Sequence, residues 1–222
     1  QDYKLSRKYF LKSLNINSKY YPNILGIALS YFNNDNYEDA IKYFQKFIKF
    51  DPRNIQSLNL LGNSYYIKKD FKEAINNYKK SLNINNNQPF INFSLASIYT
   101  FIREYDKSVT IYKEIYETKS FKDFDKNNII KFYIDYGKSL EKLDNIKLAK
   151  KVYREAINKY EKNTELYNSY ISLLLNIEDF NLALNLLEKC IRINQENYQT
   201  LSNFGIFYFK TQNYKKAQEY IL

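Results

Sequence analysis

The pentapeptide DFKEA at residues 70–74 has two close counterparts, NYEDA at 36–40 and NYKKA at 213–217. The aromatic residue at its second position recurs along the chain at intervals of 34 residues, interrupted by a single step of 41. A motif that returns at a fixed interval of this length indicates a repeat architecture. The aromatic column contains Tyr3, Tyr37, Phe71 and Tyr105, and it continues through Ile146, Phe180 and Tyr214.

Two further columns keep the same register. Three residues after the aromatic position lies a small residue, and four residues beyond that lies a large apolar or aromatic one. Such spacing places apolar residues on one face of a helix, and small residues let that helix approach its neighbour closely. No repeat buries its own apolar face completely, so neighbouring repeats must stack. The small column is Ser6, Ala40, Ala74, Ser108, Ala149, Ala183 and Ala217, and the large column is Phe10, Phe44, Tyr78, Tyr112, Tyr153, Leu187 and Ile221.

The composition favours helices over strands. The 222 residues include only 4 glycines and 3 prolines, whereas sheet proteins need many tight turns that depend on both residue types. Hydrophobic residues make up 45% of the chain, which is enough for a packed core. Pro22 and Pro89 fall at the first turn of predicted helices, where a missing N–H group costs nothing. We therefore predict an all-α fold.

The repeat resembles that of the tetratricopeptide repeat family, whose unit has the same length and contains two helices. The best copy of the family motif lies within residues 55–88, at Leu58, Leu61, Gly62, Tyr65, Ala74, Tyr78 and Ser81. The resemblance covers the whole chain and implies a right-handed α-solenoid, a superhelix of antiparallel helix-turn-helix units that forms one domain over residues 1–222. Complete repeats are expected at 21–54, 55–88, 89–129, 130–163 and 164–197, with a second helix alone at 1–20 and an incomplete repeat at 198–222.

The chain departs from the family pattern at two places. Seven additional residues lie near 117–128, between the third and fourth repeats. They predict either a longer helix or an exposed loop, and such a loop would divide the solenoid into two arms. Ile171 occupies a column that otherwise holds alanine or glycine, so we expect the helices of that repeat to be spread apart.

The sequence offers no catalytic apparatus. It contains no histidine, which excludes Ser-His, Cys-His and His-metal sites. Its one cysteine, Cys190, lies in a small-residue position of a predicted second helix and is interpreted as a core residue without an activating base. Four glycines are too few for a phosphate-binding glycine-rich loop. We predict that the protein is not an enzyme and binds no metal or other cofactor.

In the tetratricopeptide repeat family the first helices line a concave face, on which partners bind as an extended segment or as a helix. The resemblance implies a non-catalytic scaffold that binds a protein or peptide, and no small-molecule substrate, in a groove whose residues are apolar, aromatic and amide-bearing. Asn59 and Asn63 are expected to bond the partner's backbone, and Phe32, Tyr66 and Phe93 to anchor its side chains. The predicted groove residues are Leu25, Leu29, Phe32, Asn59, Asn63, Tyr66, Phe93, Ser97, Phe101, Ile134, Lys138 and Asn168, and equivalent positions further on are Ser172, Leu175, Ser202, Ile206 and Phe209.

Other interpretations stay open at this point. The net charge of +10, from 34 basic and 24 acidic residues, permits binding of nucleic acid or of an anionic membrane surface. A second copy of the chain, or a missing part of the same polypeptide, also fits the groove. The scaffold also fits a regulatory or targeting arm of a larger enzyme or of a cell-envelope assembly. The chain lacks an initiator methionine and ends on an apolar pair, so we expect it to be a fragment of a longer protein.

The compartment is only weakly indicated. A single cysteine excludes an intrachain disulfide, which slightly favours the cytoplasm but fits any compartment. The sequence contains neither an apolar stretch long enough to cross a bilayer nor a recognisable signal peptide. A targeting segment beyond the ends of the fragment would change this expectation.

Overall fold

The computed structural model describes residues 2–18 and 20–221, and Ile221, the last member of the large column, has its side chain outside the described part. These residues form α-helices and one short 3-10 turn, with no β-strand among them, so the all-α prediction is confirmed. Even-numbered helices are the first, and odd-numbered helices the second, members of the helical pairs. In chain order they are α1 (Tyr3–Ile16), α2 (Pro22–Phe32), α3 (Tyr37–Ile48), α4 (Ile55–Ile67), α5 (Phe71–Ile84), α6 (Pro89–Phe101), α7 (Tyr105–Thr118), α8 (Lys126–Lys142), α9 (Ile146–Lys159), α10 (Thr164–Asn176), α11 (Phe180–Ile193), α12 (Tyr198–Lys210) and α13 (Tyr214–Ile221).

The chain divides into two compact parts, an N-terminal half of residues 1–98 and a C-terminal half of residues 99–222, with the boundary inside α6. In the N-terminal half, α1 to α5 pack in sequence, each against the next, and the first helices α2 and α4 also touch. In the C-terminal half, α7 to α13 pack in the same sequential order, and α10 also touches α8 and α12. Contacts confined to close neighbours are those of stacked repeats.

The turn within a helical pair is built around one residue with a left-handed backbone. Between α4 and α5, Lys69 has φ 63° and its amide donates to the carbonyl oxygen of Tyr66 at 3.0 Å. The Asp70 amide donates to the carbonyl oxygen of Tyr65 at 2.9 Å, which completes a Schellman-type cap. Asp70 also begins α5, because its side chain accepts a hydrogen bond from the Glu73 amide. The left-handed residues at the equivalent turns are Asp35, Lys69, Arg103, Asp144, Glu178 and Gln212.

In two helical pairs the helices approach each other closely where a glycine of one helix meets an aromatic ring of the other. A Cβ atom built on Gly62 of α4 would lie 2.5 Å from the ring of Tyr78 on α5. Gly137 and Tyr153 repeat this arrangement between α8 and α9, with a distance of 2.4 Å. Both rings are almost completely buried, so they have no space into which to move. The small residue on the first helix therefore sets the separation of the pair.

The repeat containing Ile171 fills the same space with different residues. Ile171 occupies the register position of Gly62, and Leu187 occupies that of Tyr78. Neither Ile171 nor Leu187 has any exposed surface, and α10 and α11 pack directly against each other. A larger residue on the first helix is thus matched by a smaller one on the second helix, which gives Ile171 a place in the core.

Gly62→Ala is expected to lower the free energy of unfolding by about 1–2 kcal/mol. The new methyl group would overlap the buried Tyr78 ring, and this cost outweighs the roughly 1 kcal/mol that alanine gains in helix propensity. In a Tyr78→Leu background the same substitution should cost about 1 kcal/mol less, because leucine leaves room for the methyl group. Urea unfolding followed by circular dichroism measures the wild type, both single variants and the double variant. If the stability costs of the two substitutions are simply additive, a direct contact between residues 62 and 78 is contradicted.

The additional residues between the third and fourth repeats form a compact connection. A 3-10 turn, Ser120–Asp123, follows α7 and leads into α8. Counting back one repeat of 34 residues from the start of α10 gives residue 130, so α8 begins four residues early. The Phe121 ring is only 5% exposed and stacks on Phe132, with centroids 5.0 Å apart. The insertion therefore lengthens a helix and adds to the core, and the boundary between the two halves lies elsewhere.

One ion pair joins two second helices in the C-terminal half. Lys150 Nζ on α9 lies 2.7 Å from Oδ2 of Asp179, the residue that precedes α11, and both side chains are about 30% exposed. The hydrogen bond from Lys150 holds the pKa of Asp179 below its usual value. Because the pair is partly solvated, we expect it to contribute only about 0.5–1 kcal/mol to stability at neutral pH.

Asp179→Asn is expected to remove this contribution at pH 7 and to cost progressively less in acid. The folded-state pKa of Asp179 is lower than its unfolded-state value of about 4, so the stabilisation is complete above that value and is lost as the pH falls through the folded-state pKa. Urea unfolding of both proteins at neutral pH and near pH 3 measures the difference. A deficit that stays constant on acidification would show that the carboxylate is not involved.

Candidate partner-binding site

The predicted groove positions of α2 are partly buried in the N-terminal half. Leu25, Leu29 and Phe32 all pack against the buried cluster that contains Phe44 and Leu61. The Phe32 ring meets the Phe44 ring edge-on, with centroids 6.3 Å apart. These side chains therefore contribute to the core of this half, and each presents only part of its surface to solvent.

The predicted amide contacts on α4 are largely used within the protein. Asn59 Nδ2 donates to Gln88 Oε1 at 2.8 Å, and Asn59 Oδ1 is buried without a hydrogen-bond partner among the described residues. Asn63 Oδ1 accepts a hydrogen bond from the Tyr78 hydroxyl at 2.7 Å. Tyr66, the predicted anchor on this helix, is half-buried. The hydrogen bond to Gln88 uses one of the two N–H groups of Asn59 Nδ2, so one donor is left for a partner.

The three predicted positions of α6 differ widely in exposure. Phe93 and Ser97 are 3% and 7% exposed, whereas Phe101 is 68% exposed. Phe93 is thus a buried side chain, although the sequence predicts it as an anchor. Truncation of Phe93 or Phe32 would remove core packing, so a loss of binding in such a variant would not identify a partner contact.

On α8 and α10 the predicted residues again differ in exposure. Lys138 is exposed, whereas Ile134 and Asn168 are only 3% and 6% exposed. Asn168 is the centre of a polar network, in which its Nδ2 donates to Asn197 Oδ1 and its Oδ1 accepts from Asn203 Nδ2, each at 3.0 Å. This network ties α10 to the start of α12 and to the middle of that helix.

The first helices α8, α10 and α12 enclose an open cleft of about 290 Å³, which we call the polar cleft. The hydroxyl groups of Ser169, Ser172 and Ser202 line it and make no hydrogen bond to any described residue. Lys138 and Glu165 bring opposite charges to its walls. The cleft therefore offers neutral donors and acceptors, and the apolar description made from the sequence does not fit it. Its lining residues are Lys138, Glu165, Asn168, Ser169, Ser172, Tyr198, Gln199, Ser202 and Asn203.

The groove positions predicted from the repeat register include part of this lining. The register placed Lys138, Asn168 and the two serines at 172 and 202 on the groove face, and all of them line the cleft. It missed five of the nine lining residues, among them Ser169 and Asn203, which lie one residue after the counted position. The available signal was the polar character of that next column from Ser94 onward. Leu175 is buried, and Ile206 and Phe209 are exposed but do not line the cleft.

Several tyrosines of the core have a strongly raised pKa. Burial raises the pKa of Tyr136 to about 12. Burial also raises the pKa of Tyr133, and so does the carboxylate of Glu155, which accepts a hydrogen bond from the Tyr133 hydroxyl at 2.8 Å. These tyrosines stay neutral and do not line the polar cleft, so they supply it with no acid or base. Within the described ranges, no three His, Cys, Asp or Glu residues are grouped closely enough to hold a metal ion.

Cys190 is a core residue, as the sequence predicts. It has no exposed surface, and its Sγ atom lies 3.1 Å from Thr200 Oγ1. Burial raises the pKa of the Cys190 thiol, which disfavours the reactive thiolate. The thiol therefore lacks both the access and the ionisation that a nucleophile needs.

The folded protein is expected to react with 5,5′-dithiobis(2-nitrobenzoic acid) at least about a hundredfold more slowly than the urea-unfolded protein, because the buried thiol must first become accessible. Absorbance at the thiolate band measures both rates. Asp179→Asn, a change at the residue that precedes the helix carrying Cys190, provides a folded control. Fast modification of the folded wild type would show that Cys190 is accessible and would reopen a chemical role.

Stacked helical pairs with a cleft along their first helices define a helical-repeat protein of the α-solenoid class. Residues 130–162 match the family model described as tetratricopeptide repeat, and residues 12–115 match the model described as anaphase-promoting complex, cyclosome, subunit 3. No curated protein sequence matches the chain. The chain belongs to the tetratricopeptide repeat family, as its sequence predicts. Proteins of this family are generally non-catalytic scaffolds for protein interactions.

Solved structures with similar folds support the assignment. YrrB, described as a tetratricopeptide repeat protein with an unusual peptide-binding site, aligns with a TM-score of 0.73 at 16% identity, covering 86% of this chain and 95% of YrrB. A tetratricopeptide repeat protein from Parabacteroides merdae aligns at 0.70 and 12% identity, covering 99% and 84%. A chain of the Cut9–Hcn1 hetero-tetramer of the APC/C aligns at 0.62 and 13% identity, covering 97% of this chain and 39% of that one. At these identities the comparison shows the shared fold.

No helix in the described part of the chain combines the length and the apolar character that a membrane span requires. The longest helix, α8, has 17 residues and contains several charged side chains.

Proposed function

We propose that this chain is a non-catalytic scaffold that binds an extended segment of a partner protein in the polar cleft. The observation that carries the proposal is the set of hydroxyl groups at Ser169, Ser172 and Ser202, which line the cleft without hydrogen bonds to described residues. A hydroxyl group both donates and accepts, so it pairs equally well with the N–H and C=O groups of an extended backbone. First helices supply all of these groups, on the face that the repeat register predicts for partner binding.

The charges and the rim of the cleft favour a particular type of partner segment. Lys138 and Glu165 offset each other, so the cleft favours a segment of low net charge. The Tyr198 ring is 76% exposed at the start of α12, where it offers a flat amphipathic surface to one side chain of the partner. We expect backbone contacts to the serines, with a single apolar or aromatic side chain of the partner packed on Tyr198.

The comparisons support this proposal only at the level of the class. YrrB is described as having an unusual peptide-binding site, which shows that this fold accommodates a peptide in that protein. The match of residues 12–115 to a family named for a subunit of the anaphase-promoting complex favours a second candidate, an arm within a multiprotein assembly. In that case the segment in the cleft belongs to a neighbouring subunit and not to a transient partner.

A library of random peptides selected on the wild-type chain provides the probe for the cleft. Ser172→Arg/Ser202→Arg is expected to weaken the selected peptide at least about tenfold, because two bulky cations replace the small hydroxyl groups that contact the backbone. Asn181→Arg/Asn185→Arg adds the same side chains to the exposed face of α11 and should change the affinity less than about twofold. Isothermal titration calorimetry with the synthetic peptide measures all affinities.

Equal weakening by both double variants, in proteins with unchanged circular dichroism, would show that the peptide does not bind in the polar cleft. Full affinity in the Ser172→Arg/Ser202→Arg variant would lead to the same conclusion. Failure to select any peptide would contradict the proposed class of ligand.

A further inference from the structure

The second helices α3 and α5, together with α4, enclose another open cleft of about 580 Å³ in the N-terminal half. We call it the basic cleft, because four lysines surround it. It lies within the size range of ligand sites, roughly 300–1,000 Å³. Its charged residues are Lys42, Lys46, Lys49 and Lys80, with Glu73 as the single carboxylate among its lining residues.

Few acidic side chains neutralise the lysines of the basic cleft. Lys42 is paired with Asp39 of its own helix, at 3.1 Å. Lys46 lies over the Tyr43 ring, 4.9 Å from its centroid. No ion pair among the described residues involves Lys46, Lys49 or Lys80. The cleft therefore presents unneutralised positive charge to solvent.

The equivalent positions of the other repeats show how far these lysines are specific to α3. The position of Lys46 is lysine again on α1, α5 and α11, but it is Glu114 on α7 and Glu155 on α9. The position of Lys49 is occupied by Glu117 on α7 and by asparagine on both α5 and α9. Lysine at all three positions of 42, 46 and 49 occurs on α3 and on no other second helix, although the cleft beside Lys4 and Lys8 on α1 also carries several cations.

The floor of the basic cleft is partly apolar and already organised. Leu61 is 3% exposed at its base, and Ile48 and Tyr65 are partly buried beside it. Gln45 Nε2 donates to the Tyr65 hydroxyl at 2.7 Å, which ties α3 to α4 across the floor. A ligand would thus find cations along the walls and a mixed apolar and amide surface beneath them.

We propose that the basic cleft binds an acidic peptide segment of a partner protein. On a helix with a rise of about 1.5 Å per residue, Lys42, Lys46 and Lys49 spread over roughly 10 Å. An extended peptide rises about 3.3 Å per residue, so acidic side chains at alternate positions match this spacing. The apolar floor accommodates the intervening side chains of the peptide. A flat lipid surface has no such side chains to insert into a cleft between helices. This interaction is separate from the one proposed for the polar cleft.

The number of charges favours a peptide over nucleic acid. The lining supplies four lysines and one glutamate, a net charge of +3. Nucleic-acid surfaces commonly neutralise roughly 6–10 phosphates, and single-stranded binders add aromatic rings on which bases stack. Tyr65 is the one aromatic ring in this lining, and its hydroxyl is held by Gln45. Because Asp39 also pairs with Lys42, about two excess cations remain, which suits a short run of glutamate or aspartate.

Fluorescence anisotropy with a labelled peptide, in which glutamate alternates with serine around a central leucine, tests the proposal. Lys46→Gln/Lys49→Gln/Lys80→Gln is expected to weaken this peptide about tenfold at physiological ionic strength, because it removes the excess charge. Lys162→Gln/Lys189→Gln/Lys215→Gln removes the same charge from exposed positions of the C-terminal half and should change the affinity less than about twofold. A peptide with glutamine in place of glutamate should not bind measurably.

Four results would overturn the proposal, provided that circular dichroism shows the variants to be folded. The first is equal weakening by the two triple variants, which would assign binding to net charge alone. The second is undiminished binding of the glutamine peptide. The third is tighter binding of a single-stranded oligonucleotide of equal charge, which would assign the cleft to nucleic acid. The fourth is the absence of measurable binding of the acidic peptide to the wild type. Ser172→Arg/Ser202→Arg should leave this affinity unchanged, so the two proposals can fail independently.

Discussion

The Tyr78 ring rests on the backbone of Gly62, and this contact determines much of the rest of the structure. Because the ring has no alternative position, it fixes how closely α4 and α5 approach. Gly137 and Tyr153 fix the next such pair in the same way. With the pair held at a set distance, the outer faces of its helices are free to vary. The polar cleft and the basic cleft both lie on such faces.

The sequence predicts the fold well because helix pairing depends on local chemistry. Residues such as Asp70 end one helix and begin the next through hydrogen bonds to close neighbours, and these bonds recur with the period of the repeat. Exposure is harder to predict, because it depends on the size of side chains on neighbouring helices. Phe93 and Phe101 have similar chemistry on one helix, yet one is buried and the other exposed. The sequence predicts Asn168 as a groove amide, but its side chain is used in hydrogen bonds that reach α12.

The two clefts select their ligands by different physical means. In the polar cleft, hydrogen bonds to serine replace hydrogen bonds to water, so the net gain is small and depends on how well the segment fits. In the basic cleft, unpaired lysines attract an acidic ligand before contact, so charge governs the rate of encounter as well as affinity. The first surface should respond mainly to changes of shape, and the second to ionic strength.

The sequential packing of the helices also has a mechanical consequence. Within each half, a helix touches the helices that precede and follow it in the chain, with few contacts to more distant ones. A pulling force on the chain would therefore detach one helical pair at a time instead of breaking a single cooperative core. Each released pair of 34 residues would lengthen the chain by roughly 10 nm. A scaffold built this way can yield stepwise under load and re-form when the load is removed.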